Sequence, residues 1–167
     1  MGADLYIESL YNEHEKTYRP LFDIMVEARD KAKAAGQSQQ VIDEIQTYVS
    51  MYYEKMFEVG YFRDSYNGTS LAAMCGFSWW ADIVPMQNKQ GNIGVRSLAK
   101  FRAFVEAHPI DTATITKARL KEASCTVDAE GEDSLDGWRT YFVEKHVALL
   151  NFIDLAIKHK QPILASL

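Results

Sequence analysis

The amino-acid sequence predicts an all-α fold, a single helical bundle of about five to seven helices with short extended segments at both ends. Three observations carry that expectation. The chain has 167 residues, the size of one domain (residues 1–167) that can bury about 70% of its unfolded surface without a disulfide or metal staple. Apolar residues recur at three- and four-residue spacing through most of it. Gly or Pro punctuates the runs, at Gly36, Gly60, Pro85, Pro109 and Pro162.

Taken in order, "ADLYIESLY" alternates through Asp4, Leu5, Tyr6, Ile7 and Glu8, a period of two that suits a short strand or an extended arm. In "YRPLFDIMVEARDKAKAAG", Pro20 fits a first helical turn, Leu21, Met25, Ala28 and Ala32 share a face, and Gly36 ends the run. An earlier turn through "NEHEKTY" precedes the proline. Ser38 caps the next helix, where Val41, Ile45, Tyr48, Val49, Tyr52, Met56 and Val59 keep helical spacing as far as Gly60. The stretch "GYFRDSYNGTSLAAMCGFSWWADIVP" reads as a joint. It has a turn at Asn67-Gly68, a short helix to Gly76, a new cap at Ser78 and a stop at Pro85. Leu98, Phe101, Arg102 and Val105 then share a face, and Asp111 caps "TATITKARLKEA". The acidic "SCTVDAEGEDS" is a loop. Ser134 opens the last helix, with Trp138, Phe142, Leu149, Ile153 and Ile157 as its stripe, before Pro162 leaves "PILASL" extended. Apolar chain ends fray unless tied down, so the two ends are expected to lie on each other or on the bundle.

The net charge of −5 opposes nucleic-acid binding unless basic residues gather on one face, and no tight basic run exists. No window reaches the ~20 apolar residues of a membrane helix. The opening "MGADLYIESL" carries acid where a secretion signal needs base. Cys75 and Cys125 stand alone, with no metal-type or redox spacing. A cytoplasmic protein with reduced thiols, no metal and no cofactor is expected. Asn67-Gly68-Thr69 is formally a glycosylation sequon, relevant only to a secreted chain.

Seven residues stand out as binding candidates: Arg63, Asp64, Tyr66, Asn67, Trp79, Trp80 and His146. Arg63 could hold an anion with Asp64 orienting it; the alternative, Asp64 capping local amides and Arg63 covering an aromatic face, is the commoner use of such residues. Neighbouring helical residues point about 100° apart, so Trp79 and Trp80 cannot both face the core. His146 falls on or beside the stripe of the last helix, where a hydrogen-bonded core histidine is the ordinary outcome. The "EHE" at Glu13–Glu15 splays around a helix and makes no chelate. The loop Asp128–Asp136 departs from a calcium loop, with Asp133 in place of the required glycine; solvation is its default, weak divalent binding or a basic partner its alternatives. Cys75, in "AAMCGF", reads as an inert buried thiol.

No dinucleotide, P-loop, serine-hydrolase or zinc-protease motif is present. The expected function is a non-enzymatic binding protein, an inhibitor or adaptor acting on a protein partner through the aromatic segment 60–85. The alternative is a small-molecule site, catalytic or not, at Arg63, Asp64, Trp79 and Trp80. Native-state protection of those aromatics separates a core segment from a surface one.

The signatures "MGADLYI", "YFRDSYN" followed by "FSWW", and the ending "PILASL" resemble a family of small bacterial proteins. The resemblance touches both ends and the middle of the chain. It implies a bacterial or phage cytosolic setting and brings no activity, ligand or catalytic residue.

Overall fold

The computed structural model describes residues 2–65 and 69–167. The candidates Tyr66 and Asn67, and the expected turn at Asn67-Gly68, lie outside the described residues. The chain forms two compact units, Glu8–Tyr61 and the combination of Met1–Ile7 with Phe62–Leu167.

The first unit is a hairpin of α1 (Glu8–Ala34) and α2 (Gln39–Phe57). Partners run in opposite order along the two helices: His14 meets Lys55, Phe22 meets Tyr53, and Arg29 meets Gln46. The link turns on Gly36 at φ +65°, and Ser38 caps α2 by accepting from the Val41 amide. His14 Nδ1 donates to the Lys55 carbonyl at 2.8 Å, adding a short bond to a last-turn carbonyl that otherwise accepts, among the described residues, only from the Glu58 amide at 3.4 Å. Val49 and Met56 are buried, whereas Tyr48 and Val41 of the expected stripe are exposed. Pro20 does not start a helix; α1 runs through it. Proline removes a bond to the carbonyl four residues back, and here that residue, Lys16, is exposed, so water can serve the carbonyl.

The second unit corrects the all-α expectation. It holds a four-stranded sheet in the order β2-β1-β4-β3, formed by β1 (Gly2–Tyr6), β2 (Tyr61–Ser65), β3 (Asn92–Ile93) and β4 (Ile163–Ser166). The two chain ends pair antiparallel, with Asp4 opposite Ser166, Leu5 opposite Ala165 and Tyr6 opposite Leu164. Ala3, Leu5, Phe62, Ile93, Ile163 and Ala165 point inward and are buried. The period of two predicts this alternation for β1. It fails for β2, because the inward residue after Phe62 is a carboxylate, Asp64. β3 is too short to show any period.

The same unit holds α3 (Leu71–Cys75), α4 (Val95–Glu106), α5 (Lys117–Glu122) and α6 (Leu135–His159). Phe62 of β2 meets Phe152 of α6 at 6.1 Å between ring centres. Leu98, Phe101 and Val105 of α4 and Phe142, Leu149 and Ile153 of α6 are fully buried. Truncating a buried Phe such as Phe101 to Ala typically costs ~3–5 kcal/mol. Ser78 caps a π-helical turn, Trp79–Ile83, followed by a 3-10 turn, Val84–Met86. Asp111 caps a short 3-10 turn rather than the helix beyond it; Thr116 caps α5. Ile157, expected in the α6 stripe, is 38% exposed, and Phe152 and Ala156 are buried in α6 with Ile153. No helix among the described residues is long and apolar enough to cross a membrane.

Candidate functional site

Asp64 is bonded through both of its carboxylate oxygens. Oδ1 accepts from the Leu71 amide at 2.8 Å and lies 2.9 Å from Lys145 Nζ. Oδ2 accepts from the Ala72 amide at 3.1 Å and from the Trp79 indole at 2.8 Å. Ser70 Oγ takes the Ala73 amide, and the Ser70 carbonyl takes that of Met74. Every amide at the start of α3 is therefore satisfied. With 1% of its surface exposed and four donors on two oxygens, Asp64 has no lone pair facing solvent for a ligand. It clamps β2 to α3, to the Trp79 turn and to α6.

Arg63 is the next residue of the same strand, so it points to the opposite face. Its side chain is 62% exposed and sits 3.6 Å from Asp4. The structure does not bring Arg63 and Asp64 together. The two tryptophans separate likewise: Trp79 is 2% exposed and Trp80 58%. His146 is buried, and its Nε2 lies 3.1 Å from the Val105 carbonyl. A carbonyl only accepts, so Nε2 carries the proton and ties α6 to α4. His108, just past the end of α4, reaches back to that helix, Nδ1 to the Phe104 carbonyl at 2.7 Å. Burial, with the nearby Asp64 charge, pushes the Cys75 thiol up to about 12, leaving it protonated at neutral pH.

A concave site forms elsewhere. An open groove of about 780 Å³ runs between the acidic loop and the first half of α6, lined by Glu132, Asp133, Trp138, Tyr141 and Glu144 with small residues between them. The loop is held in shape from within. Gly131 turns at φ +88°, the Asp128 amide donates to the Asp133 carbonyl at 2.9 Å, and Ser134 donates to Gly131 at 3.1 Å. Gly137, in the first turn of α6, lets the loop approach; a Cβ there would overlap the Glu132 carbonyl. The Trp138 indole donates to the Thr126 carbonyl at 2.9 Å. Its ring stacks on Phe142 at 6.0 Å, with Tyr141 edge-on to it at 5.7 Å. The aromatic wall is thus anchored to a buried residue.

The charge in this groove is unbalanced. Asp136 pairs with Arg139 at 3.1 Å. Among the described residues, Glu132, Asp133 and Glu144 have no ion-pair or side-chain hydrogen-bond partner. Part of that acid complements the start of α6, where the helix dipole favours negative charge. Glu144 stands beyond the first turn, outside that influence. Three unneutralised carboxylates beside two aromatic rings make a site that attracts a cation and gives it a π-face. A metal fits poorly, since among the described residues no group of three His, Cys, Asp or Glu is placed to hold one.

Sequence reasoning took Trp138 for core stripe, considered the acidic loop for a basic partner, set Glu144 aside as pointing away from His146, and passed over Gly137, Tyr141 and Lys145. The available signal was the spacing of Trp138, Tyr141 and Lys145 at i, i+3 and i+7, a helix face of its own.

Comparison with protein-family models, with curated proteins and with solved structures finds no match to this chain.

Proposed function

We propose that this is a non-enzymatic binding protein that takes a positively charged side chain of a protein partner into the groove beside α6. The observation that carries the reading is the groove itself, about 780 Å³ and lined by Glu132, Asp133 and Glu144 together with Trp138 and Tyr141. Its volume lies in the range of ligand sites, roughly 300–1,000 Å³. Its openness suits a side chain presented by another protein. The groups a catalyst would use are occupied: Asp64 by four donors, His146 by a carbonyl, Cys75 by its proton. The binding role is the one expected from sequence, moved from segment 60–85 to α6. A cytosolic, bacterial setting belongs to the same proposal, supported by the two free cysteines and by the signature resemblance.

The test is titration of Trp138 fluorescence with an arginine-containing peptide and with an acidic peptide of equal length. The basic peptide binds with a dissociation constant between ~1 µM and ~1 mM, and binding weakens as salt shortens the screening length from ~10 Å at 0.1 M to ~3 Å at 1 M. Equal response to both peptides contradicts the proposal.

A further inference from the structure

Tyr141 holds a constrained hydroxyl. Lys145 Nζ donates to its oxygen at 3.2 Å, and the same ammonium lies 5.4 Å from the ring centre. Lys145 is itself fixed by Asp64 at 2.9 Å, with only 15% of its side chain exposed. The phenolic oxygen therefore accepts from a pinned cation. Its own proton must point away from that cation, because an ammonium only donates. Among the described residues no acceptor takes the Tyr141 O–H, and Tyr141 lines the groove.

The groove thus offers two kinds of recognition side by side. The carboxylates of Glu132, Asp133 and Glu144 attract a cation, and Tyr141 offers one aimed donor. A ligand that satisfies both carries a positive group and, a few bonds away, a hydrogen-bond acceptor. An arginine within a polypeptide has that form: a planar guanidinium for carboxylates and ring faces, and a main-chain carbonyl for the hydroxyl. We infer that Tyr141, set by Lys145 and through it by the buried Asp64, is a specificity-determining residue that reads the peptide carbonyl next to a bound arginine side chain. This inference rests on the groove reading above and adds the ligand's second feature.

Two probes of equal charge separate the features. N-acetyl-arginine N-methylamide carries guanidinium and carbonyls; propylguanidinium carries the guanidinium alone. Each is titrated into the full-length wild-type protein and into Tyr141→Phe, which removes the hydroxyl and keeps the ring. A single net hydrogen bond corresponds to about threefold to tenfold in affinity. Wild type is expected to prefer the arginine amide by about that factor, and Tyr141→Phe to bind the two probes alike. The ratio of the two affinities within each protein is the readout, because Tyr141 lines the groove and either affinity alone can change in the variant. Circular dichroism and the urea midpoint of the variant confirm that its fold is kept; if Tyr141→Phe fails to fold, comparing N-acetyl-arginine N-methylamide with the equally charged N-butylguanidinium on wild type replaces it, and equal affinity there overturns the role of Tyr141. A preference that persists in Tyr141→Phe, or its absence in wild type, overturns the role of Tyr141 while leaving the groove as a cation site. Failure of both probes to bind wild type overturns the groove reading and this inference together.

Discussion

Lys145 of α6 places its ammonium nitrogen 2.9 Å from Oδ1 of Asp64 in β2, and the carboxylate behind that contact is 1% exposed. The pair joins residues 81 positions apart, so the sheet, the short helix α3 and the last helix meet at one buried charge. Removing one member of a buried pair leaves the other uncompensated, which typically costs ~3–5 kcal/mol. Asp64→Ala should lower stability by that order in urea unfolding. Asp64→Ala with Lys145→Met should recover part of the loss, since the stranded cation is gone. A double variant no more stable than Asp64→Ala contradicts the clamp.

Trp79 and Trp80 should report separately. Acrylamide should quench Trp80 strongly, and Trp80→Phe should remove the most accessible component, leaving that of the half-buried Trp138, with little effect on stability, as for an exposed position. Trp79→Phe should remove the shielded component and destabilise the fold by ~1.5–3 kcal/mol, the usual worth of a hydrogen bond to a charged acceptor. Equal quenching in both variants contradicts the assignment of faces.

Cys75 makes stability depend on pH. Its thiol is raised to about 12 in the fold, against ~8.5 for a free cysteine. Above the lower value the unfolded chain releases the proton while the folded chain keeps it, so the folded state binds more protons and stability falls with rising pH. The loss runs from roughly pH 8.5 toward 12, with a limiting slope of ~1.4 kcal/mol per unit. Comparing urea midpoints at pH 8 and pH 10 for wild type and Cys75→Ala should show the steeper fall in wild type. Identical slopes contradict it.

Neutralising Glu132, Asp133 and Glu144 together, as Glu132→Gln, Asp133→Asn and Glu144→Gln, separates function from fold. All three are exposed, and surface changes of this kind usually stay within ~0.5 kcal/mol. Stability should change little, since relief of like-charge repulsion offsets the lost complement to the α6 dipole, while affinity for a basic peptide drops at least tenfold. Gly137→Ala should do the reverse of this separation: it pushes the loop from α6, costs ~1–3 kcal/mol as overpacking does, and weakens binding as well.

The elements most legible in the sequence were those with local causes. Ser38, Ser78 and Ser134, expected as caps, each accept an amide at a helical start, a signal written within four residues. The α4 stripe, Leu98, Phe101 and Val105, is buried as its spacing requires. The sheet was legible only at its ends. β1 shows its period, but its partner β4 lies at the other end of the chain, and pairing over that distance leaves no local trace. β2 hid behind Asp64: a charge facing inward looks like a loop residue until Leu71, Ala72, Trp79 and Lys145 are seen around it. The groove was hidden for a related reason. Trp138 and Tyr141 belong to a helix whose opposite face is core, and the backbone approach that shapes the site depends on the absence of a side chain at Gly137. An absence of that kind has no hydropathy pattern.

The central claim is that the groove beside α6, and no other surface, receives a basic side chain. The most direct measurement is amide chemical-shift mapping of the full chain during titration with an arginine-containing peptide. The largest shifts should fall on residues 131–144 together with the indole resonance of Trp138, and should vanish in the triply neutralised variant. Shifts centred instead on Trp80 or on the α1–α2 hairpin, or shifts that persist in that variant, contradict it.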